Sequence, residues 1–122
     1  MIFPRRGDVY LVEFDPARGH EIKKTRPAVI VQNDTNNRYS PVTIVAAVTS
    51  KVSPVLYPVE VAVVPTKANG LSLPSAIQLS QIRSVDQSRL LKRLGAVDMA
   101  TMSKVDTALK ISLGLVNQTV DF

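Results

Sequence analysis

Short runs of apolar and β-branched residues, separated by turn-forming residues, predict that the first two thirds of this chain is mostly strand. Two of the runs, Ala28–Val31 and Val42–Val48, are almost continuously apolar, as is typical of buried strands. Three further runs predict strands over Val9–Phe14, Val59–Val64 and Ala76–Ile82. These five segments together predict a sheet.

The spacing of apolar residues changes near the C-terminus and predicts a long helix. Asp98 can cap this helix, and its apolar positions recur at helical spacing at Met99, Met102, Val105, Leu109 and Val116. The segment Asp86–Leu94 is also compatible with a short helix that Gly95 would end, and Asn33–Asn37 predicts a turn or a single helical turn. The elements predict a β-rich α+β fold, with a small, strongly curved antiparallel sheet and helices packed on it.

Composition limits the chemistry that the chain can support. The length of 122 residues predicts one domain spanning residues 1–122. The absence of cysteine excludes disulfides and thiolate metal sites, and the single histidine, His20, cannot build a histidine zinc site. The acidic residues are scattered, with only Glu13 and Asp15 two apart, so we expect no metal and no other cofactor.

The net charge of +5 favours an anionic partner such as a nucleic acid or an acidic protein segment. Lys23, Lys24 and Arg26 lie together at the end of the long loop Asp15–Thr25, and loops of this length usually carry function. A second basic group, which we interpret as a solvated face, contains Arg83, Arg89, Lys92 and Arg93. No apolar run is long enough to span a bilayer, so we expect a cytoplasmic protein without a membrane partner.

Two strand ends carry the groups that could bind a phosphodiester. Pro27 restricts the backbone of Arg26, which therefore projects from the start of the second strand with little freedom. The third strand ends in Thr49, Ser50 and Lys51, which supply hydroxyls and another cation. If the strands are neighbours, a guanidinium and these hydroxyls converge on one cleft. Taken alone, each residue also has a purely structural interpretation, as a surface cation or a hydroxyl bonded to its own backbone.

An ordered series of segments resembles the MazF/PemK family of toxin ribonucleases over nearly the whole chain. The segments are Arg6–Tyr10, Gly19–Glu21, Lys23–Asn33, Asn37-Arg38, Ser40-Pro41, Val48-Thr49, Gln81–Asp86 and a final helix ending near Leu115. The resemblance implies a partly open, SH3-like barrel of the CcdB/MazF type that works as a homodimer. Because CcdB-type toxins with this fold poison DNA gyrase, the fold does not by itself fix the target.

The resemblance also implies that Arg26 and Thr49 are the catalytic residues. Arg26 would stabilise the charge that develops on the phosphorane, and Thr49 would donate a hydroxyl hydrogen bond to the same phosphate. The general base stays open between His20 and Glu21. One branch of the family joins a matching histidine to an arginine and an aspartate, but this chain has Gln78 and Ser80 at those positions.

Side chains around the cleft are candidates for binding RNA. Amides can bond base edges, hydroxyls and cations can hold phosphates, and Glu21 can orient Arg26 or a base. The predicted RNA-binding residues are His20, Glu21, Lys24, Asn33, Ser50, Lys51, Gln78 and Gln81.

The leading hypothesis is a sequence-specific endoribonuclease toxin of a type II toxin–antitoxin system. It would cleave single-stranded mRNA through the ribose 2′-hydroxyl, without metal, and an acidic antitoxin would silence it. The helix region Met99–Val116 would lie partly in the dimer contact. The alternatives are a non-enzymatic toxin that binds DNA gyrase and a simple basic RNA-binding barrel.

Overall fold

The structure is a computed structural model that describes residues 3–15, 18–21, 24–55 and 57–117. Its strands are β1 (Asp8–Glu13), β2 (Thr25–Ile30), β3 (Val42–Thr49), β4 (Glu60–Val63), β5 (Ser75–Asp86) and β6 (Leu90–Ala96). Its α-helices are α1 (Asp34–Tyr39) and α2 (Met99–Ser112). In this part of the chain, no helix is both long enough and apolar enough to cross a membrane.

The strands form one six-stranded antiparallel sheet in the order β4-β5-β3-β2-β1-β6. Successive side chains of a strand point to opposite faces, so the sheet supports two apolar clusters. The first packs against α2, which contributes Val105 and Ala108. The second, here called the open-face cluster, contains Val12, Phe14, Ala28, Ile30, Val45, Ala47 and Val85. The predicted α+β fold with a long C-terminal helix is confirmed.

Helix α2 begins where the sequence predicts. The Asp98 side chain accepts a hydrogen bond from the Thr101 backbone N–H at 2.7 Å, and hydrogen bonds from Thr101 lower the pKa of this carboxyl. The helix ends at Ser112, short of the predicted Val116, because Gly114 adopts a left-handed conformation with φ of 72°. The predicted helix is therefore confirmed in position but is shorter at its C-terminal end.

The predicted short helix over Asp86–Leu94 is wrong. β5 runs on to Asp86, a 3₁₀ turn covers Gln87–Arg89, and the chain then forms β6. Asp86 caps this turn by accepting a hydrogen bond from the Ser88 N–H at 2.9 Å. Leu90–Ala96 instead forms an edge strand that pairs with β1. Pairing with a strand some 80 residues away overrides the local pattern.

The segment Asn33–Asn37 forms the cap and first turn of α1, as the single-turn alternative predicted. Asn33 Oδ1 accepts a hydrogen bond from the Asn36 N–H at 2.9 Å. Asn37 is fully buried and accepts hydrogen bonds from the Thr43 hydroxyl at 2.7 Å and the Gln32 amide at 3.0 Å. This network fixes the C-terminal end of β2, and Arg26 lies near the other end of the strand.

A wide bulge interrupts β5 beside the open-face cluster. Ala46 of β3 faces Ile82, whereas the next residue, Ala47, faces Gln78. The three residues between them, Leu79–Gln81, therefore have no partner on β3. Bulges re-aim side chains, and Gln81 of this bulge contacts the β1–β2 loop at His20.

We predict that Gly70→Ala destabilises the fold by about 2 to 3 kcal/mol. Gly70 has a φ of 69°, and a Cβ built there would lie 2.0 Å from the Leu94 backbone oxygen of β6. Gly114→Ala is the matched control, because φ is 72° there and no atom of the described residues, apart from its chain neighbours, lies within 4 Å of the added Cβ, so it should cost only about 1 kcal/mol. Urea unfolding measures both; equal losses would contradict the role of the close approach.

Candidate active site

Arg26 and Thr49 lie at the same level of two neighbouring strands. Ala28 of β2 pairs with Ala47 of β3, and Arg26 and Thr49 each lie two residues beyond that pair, in the same direction along the sheet. Because side chains alternate, both residues continue the face that Ala28 and Ala47 share. The condition that the sequence left open, that the two strands are neighbours, is therefore met.

The hydroxyl of Thr49 keeps a proton to donate. Thr49 is only 8% exposed, and its Oγ1 accepts a hydrogen bond from the Lys51 N–H at 3.1 Å. That bond fixes the position of the oxygen and uses one of its lone pairs. The local backbone role and a role towards a ligand are thus compatible in the same side chain.

A pocket of about 340 Å³ opens beside Arg26. Its lining includes Arg26 and Ser50, together with Pro27, Val48 and the turn that carries Leu71. Val48 and Leu71 belong to the cluster that packs against α2, so this pocket opens on the face opposite to the open-face cluster and adjoins the strand end that carries Arg26.

The described part of the β1–β2 loop contacts the bulge of β5. Residues 18–21 form a turn in which the Arg18 N–H donates to Glu21 Oε1 at 3.1 Å. The Gln81 side-chain amide donates to the His20 backbone oxygen at 3.3 Å, and the His20 side chain is exposed. A smaller pocket of about 230 Å³ between loop and bulge is lined by Glu21, Ser80, Gln81, Ile82 and Arg83. The structure thus brings three predicted site residues together here.

Lys24 closes the base of the same loop with its backbone. Its N–H donates to Asp15 Oδ1 at 2.8 Å, and its carbonyl accepts from the Phe14 N–H at 2.8 Å. Lys24 has a φ of 65°, an uncommon conformation for a residue with a side chain. A residue stays in such a conformation only where the surrounding structure fixes it, and residues of this kind often lie at functional sites. Lys23, predicted beside it, lies outside the described residues.

Gln78 carries a buried acceptor that has no hydrogen-bond partner among the residues that the structure describes. It lies opposite Ala47 on β3 and Glu60 on β4, so its side chain shares the face of Arg26 and Thr49. Its Oε1 is buried and accepts no hydrogen bond. An unsatisfied buried oxygen is costly, which makes Gln78 a natural partner for a donor on a ligand.

The structure does not bring Asn33 to this site. Asn33 follows β2, whereas Arg26 is near the start of that strand, and its side-chain oxygen caps α1. Its amide alone suggests a contact with a base, but the direction of β2 puts Asn33 at the end of the strand that lies away from Arg26. Lys51 is exposed and directly follows Thr49 and Ser50, so it remains close to the site.

Two arginines near the loop make contacts that the sequence does not predict. Arg83 donates to the Phe14 carbonyl at 3.1 Å, and Arg89 donates to the Glu13 carbonyl at 3.1 Å. The interpretation of the second basic group as a solvated face is therefore wrong for these two residues. Only the pairing of distant strands reveals the contacts, so no local signal could have found them. Among the residues of the described ranges, no three acidic or histidine side chains lie close enough to hold a metal ion.

Comparison with known proteins identifies the family of the chain. The family model of PemK-like, MazF-like toxins of type II toxin–antitoxin systems matches residues 5–113. The chain belongs to this toxin family. Among MazF proteins, it is 46% identical over 113 residues to the endoribonuclease MazF of Staphylococcus epidermidis, which covers 93% of each chain.

Solved MazF structures share the fold. MazF from Deinococcus radiodurans is 25% identical with a TM-score of 0.79, over 93% of this chain and 99% of that one. A mycobacterial endoribonuclease in complex with its cognate antitoxin is 28% identical with a TM-score of 0.75, over 94% and 99% of the two chains. The second structure shows that a relative binds an antitoxin.

Proposed function

We propose that this MazF-family toxin is a sequence-specific endoribonuclease that cleaves single-stranded mRNA without a metal ion. The single observation that supports this most directly is the register of β2 and β3, in which Arg26 and Thr49 lie level on one face. A toxin that only binds a protein target has no chemical need for this pair. The endoribonuclease relative at 46% identity supports the same activity.

RNA supplies its own nucleophile, so the protein needs chiefly to align the chain, move protons and stabilise charge. The ribose 2′-oxygen attacks phosphorus while a base on the protein takes its proton. The bond from phosphorus to the 5′-oxygen then breaks, and that oxygen leaves as a hydroxyl after it gains a proton. The products are a 2′,3′-cyclic phosphate and a 5′-hydroxyl end, and no step requires a metal-activated water.

Arg26 stabilises the extra negative charge of the phosphorane, because guanidinium stays protonated and presents a planar fork of donors. Thr49 donates its hydroxyl proton to the same phosphate, with its oxygen held by the Lys51 N–H. Proton transfer falls to His20 or Glu21 on the β1–β2 loop.

The remaining residues bind RNA on either side of the reacting phosphate. Lys24, Ser50 and Lys51 hold flanking phosphates, and Gln78 and Gln81 bond base edges. The unpartnered oxygen of Gln78 favours a base that offers an amino group.

The active protein in this proposal is a homodimer controlled by an acidic antitoxin. Met99, Leu113 and Leu115 at the two ends of α2 are exposed apolar side chains, which a second copy can cover. The charge of +5 attracts an acidic antitoxin segment, and structures of relatives with antitoxins support such a complex.

We expect cleavage of a labelled single-stranded RNA to proceed at an unchanged rate in excess chelator. A substrate with a single 2′-deoxy sugar at the cleaved position should resist cleavage there, because it lacks the nucleophile. Product ends are identified by mass spectrometry, which separates a cyclic phosphate from a linear one. Dependence on added divalent metal, or equal cleavage of the 2′-deoxy substrate, would refute the mechanism.

A further inference from the structure

Two arginine side chains satisfy three successive backbone carbonyls where β1 ends. Arg83 Nη1 of β5 donates to the Phe14 oxygen at 3.1 Å. Arg89 Nη1 of the 3₁₀ turn donates to the Glu13 oxygen at 3.1 Å and also to the Asp15 oxygen. Phe14 and Asp15 lie beyond the last paired residue of β1, so the arginines supply donors to carbonyls that have no partner strand.

Arg83 is anchored from a second direction. Its guanidinium carbon lies 5.9 Å from the ring centre of Phe14, which is fully buried in the open-face cluster. A planar guanidinium can stack on the ring and donate to the carbonyl of the same residue, whereas a lysine ammonium has no planar surface for stacking. The contact therefore fixes direction as well as charge.

These contacts hold the start of the β1–β2 loop, where the chain leaves β1. The end of the loop is held by the hydrogen bond from the Lys24 N–H to Asp15. The Phe14 N–H donates to the Lys24 carbonyl, so the residue that Arg83 contacts is also the residue on which the loop closes. The loop then leads through His20 and Glu21 to β2, where Arg26 is the second residue.

We infer that Arg83 and Arg89 are positioning residues for RNA cleavage, which hold the base of the β1–β2 loop so that its groups face Arg26. This inference rests on the proposed function for its effect on cleavage, but not for its structural part. It differs from the alternative in which these cations bind RNA phosphates directly, because both guanidinium groups donate to backbone oxygens.

The test uses the full-length protein with Arg83→Lys and Arg89→Lys, which keep the charge and remove the guanidinium fork. We expect faster amide hydrogen exchange over residues 18–24 in both variants, with little change in the urea midpoint. We also expect the single-turnover cleavage rate to fall by about tenfold to a hundredfold, since small displacements of reacting groups have effects of this size.

RNA affinity and its salt dependence separate positioning from phosphate binding. If these arginines bound phosphates directly, the loss of one contact would reduce the slope of log affinity against log salt concentration by about one. The lysine variants would then keep most of the affinity and most of the cleavage rate, because they keep the charge. Full activity in the two lysine variants would therefore overturn the inference. Arg83→Gln serves as a second variant, with the same expected loss of loop protection, if Arg83→Lys folds poorly.

Arg93→Lys is the matched control on the same side of the sheet. Arg93 pairs with Asp8 at 3.1 Å, at the other end of β1, so its variant should leave exchange over residues 18–24 and the cleavage rate unchanged. The exchange measurement needs no activity. If the wild-type protein cleaves no RNA, the proposed function fails while the exchange data still test the loop contacts, and unchanged exchange in both lysine variants overturns the inference.

Discussion

Replacing Arg26 by alanine should lower the single-turnover rate of RNA cleavage by about two to three orders of magnitude. RNA binding should weaken much less, because Lys24, Ser50 and Lys51 still contact the flanking phosphates in the proposed complex. Arg26→Lys should recover only part of the rate, since a lysine keeps the charge but lacks the planar fork. Quenched single-turnover assays with saturating protein separate the rate from the affinity.

Two substitutions at Thr49 test the role of its hydroxyl. Thr49→Val keeps the shape of this buried side chain but removes its hydroxyl, whereas Thr49→Ser keeps the hydroxyl. We expect a loss of about two orders of magnitude for valine and a small loss for serine. Because Arg26 and Thr49 stabilise the same phosphate, the double variant should lose less than the product of the two single effects.

Arg5→Ala is the control for the loss of an exposed arginine outside the site, and it should cleave at the wild-type rate. Full activity in Arg26→Ala would remove the central claim. A rate loss matched by an equal loss of affinity would instead assign Arg26 to binding. His20→Ala in the same assay decides between the two candidate bases, because a near-normal rate leaves Glu21.

Expression of this toxin alone should arrest bacterial growth, and co-expression of an acidic protein encoded beside it should restore growth. The physical reason is competition, because an acidic antitoxin tail attracted by the charge of +5 would occupy the surface that RNA needs. Colony counts after induction measure both outcomes. Normal growth with abundant folded toxin would contradict the toxin function.

The same assay separates RNA cleavage from gyrase binding. A toxin that acts by cleavage should lose its toxicity in Arg26→Ala, although that variant still folds and still binds its antitoxin. Arrest that persists in Arg26→Ala, without cleaved mRNA in the cells, would favour the gyrase-binding alternative. Primer extension on cellular transcripts detects the cleavage and reveals the recognised motif.

The sequence predicted most of the fold because its strongest signals are local. Helix α2 follows from apolar spacing and the cap at Asp98, and β3 follows from a continuous apolar run. The prediction failed at β6, where a helix was expected over Asp86–Leu94. β6 forms a strand because it pairs with β1, and a short stretch of sequence does not indicate pairing between distant segments.

The candidate site also contains some residues that local sequence predicts and others that only tertiary contacts reveal. Arg26 and Thr49 could be predicted as a pair because they lie at the ends of two recognisable strands, although only the register shows that they share a face. Asn33 could not be placed by its chemistry, because the same amide that can bond a base also caps α1. Arg83 and Arg89 depend on tertiary contacts alone.

During synthesis, β1 leaves the ribosome long before its neighbour β6 has been made, because the two strands are at opposite ends of the chain. β1 must therefore wait with one edge unpaired, and closing so long a loop makes folding slow compared with that of a helical bundle. The 3₁₀ turn that fixes the β1–β2 loop is also made late. We therefore expect each new toxin molecule to remain inactive until β6 has been synthesised and has paired with β1.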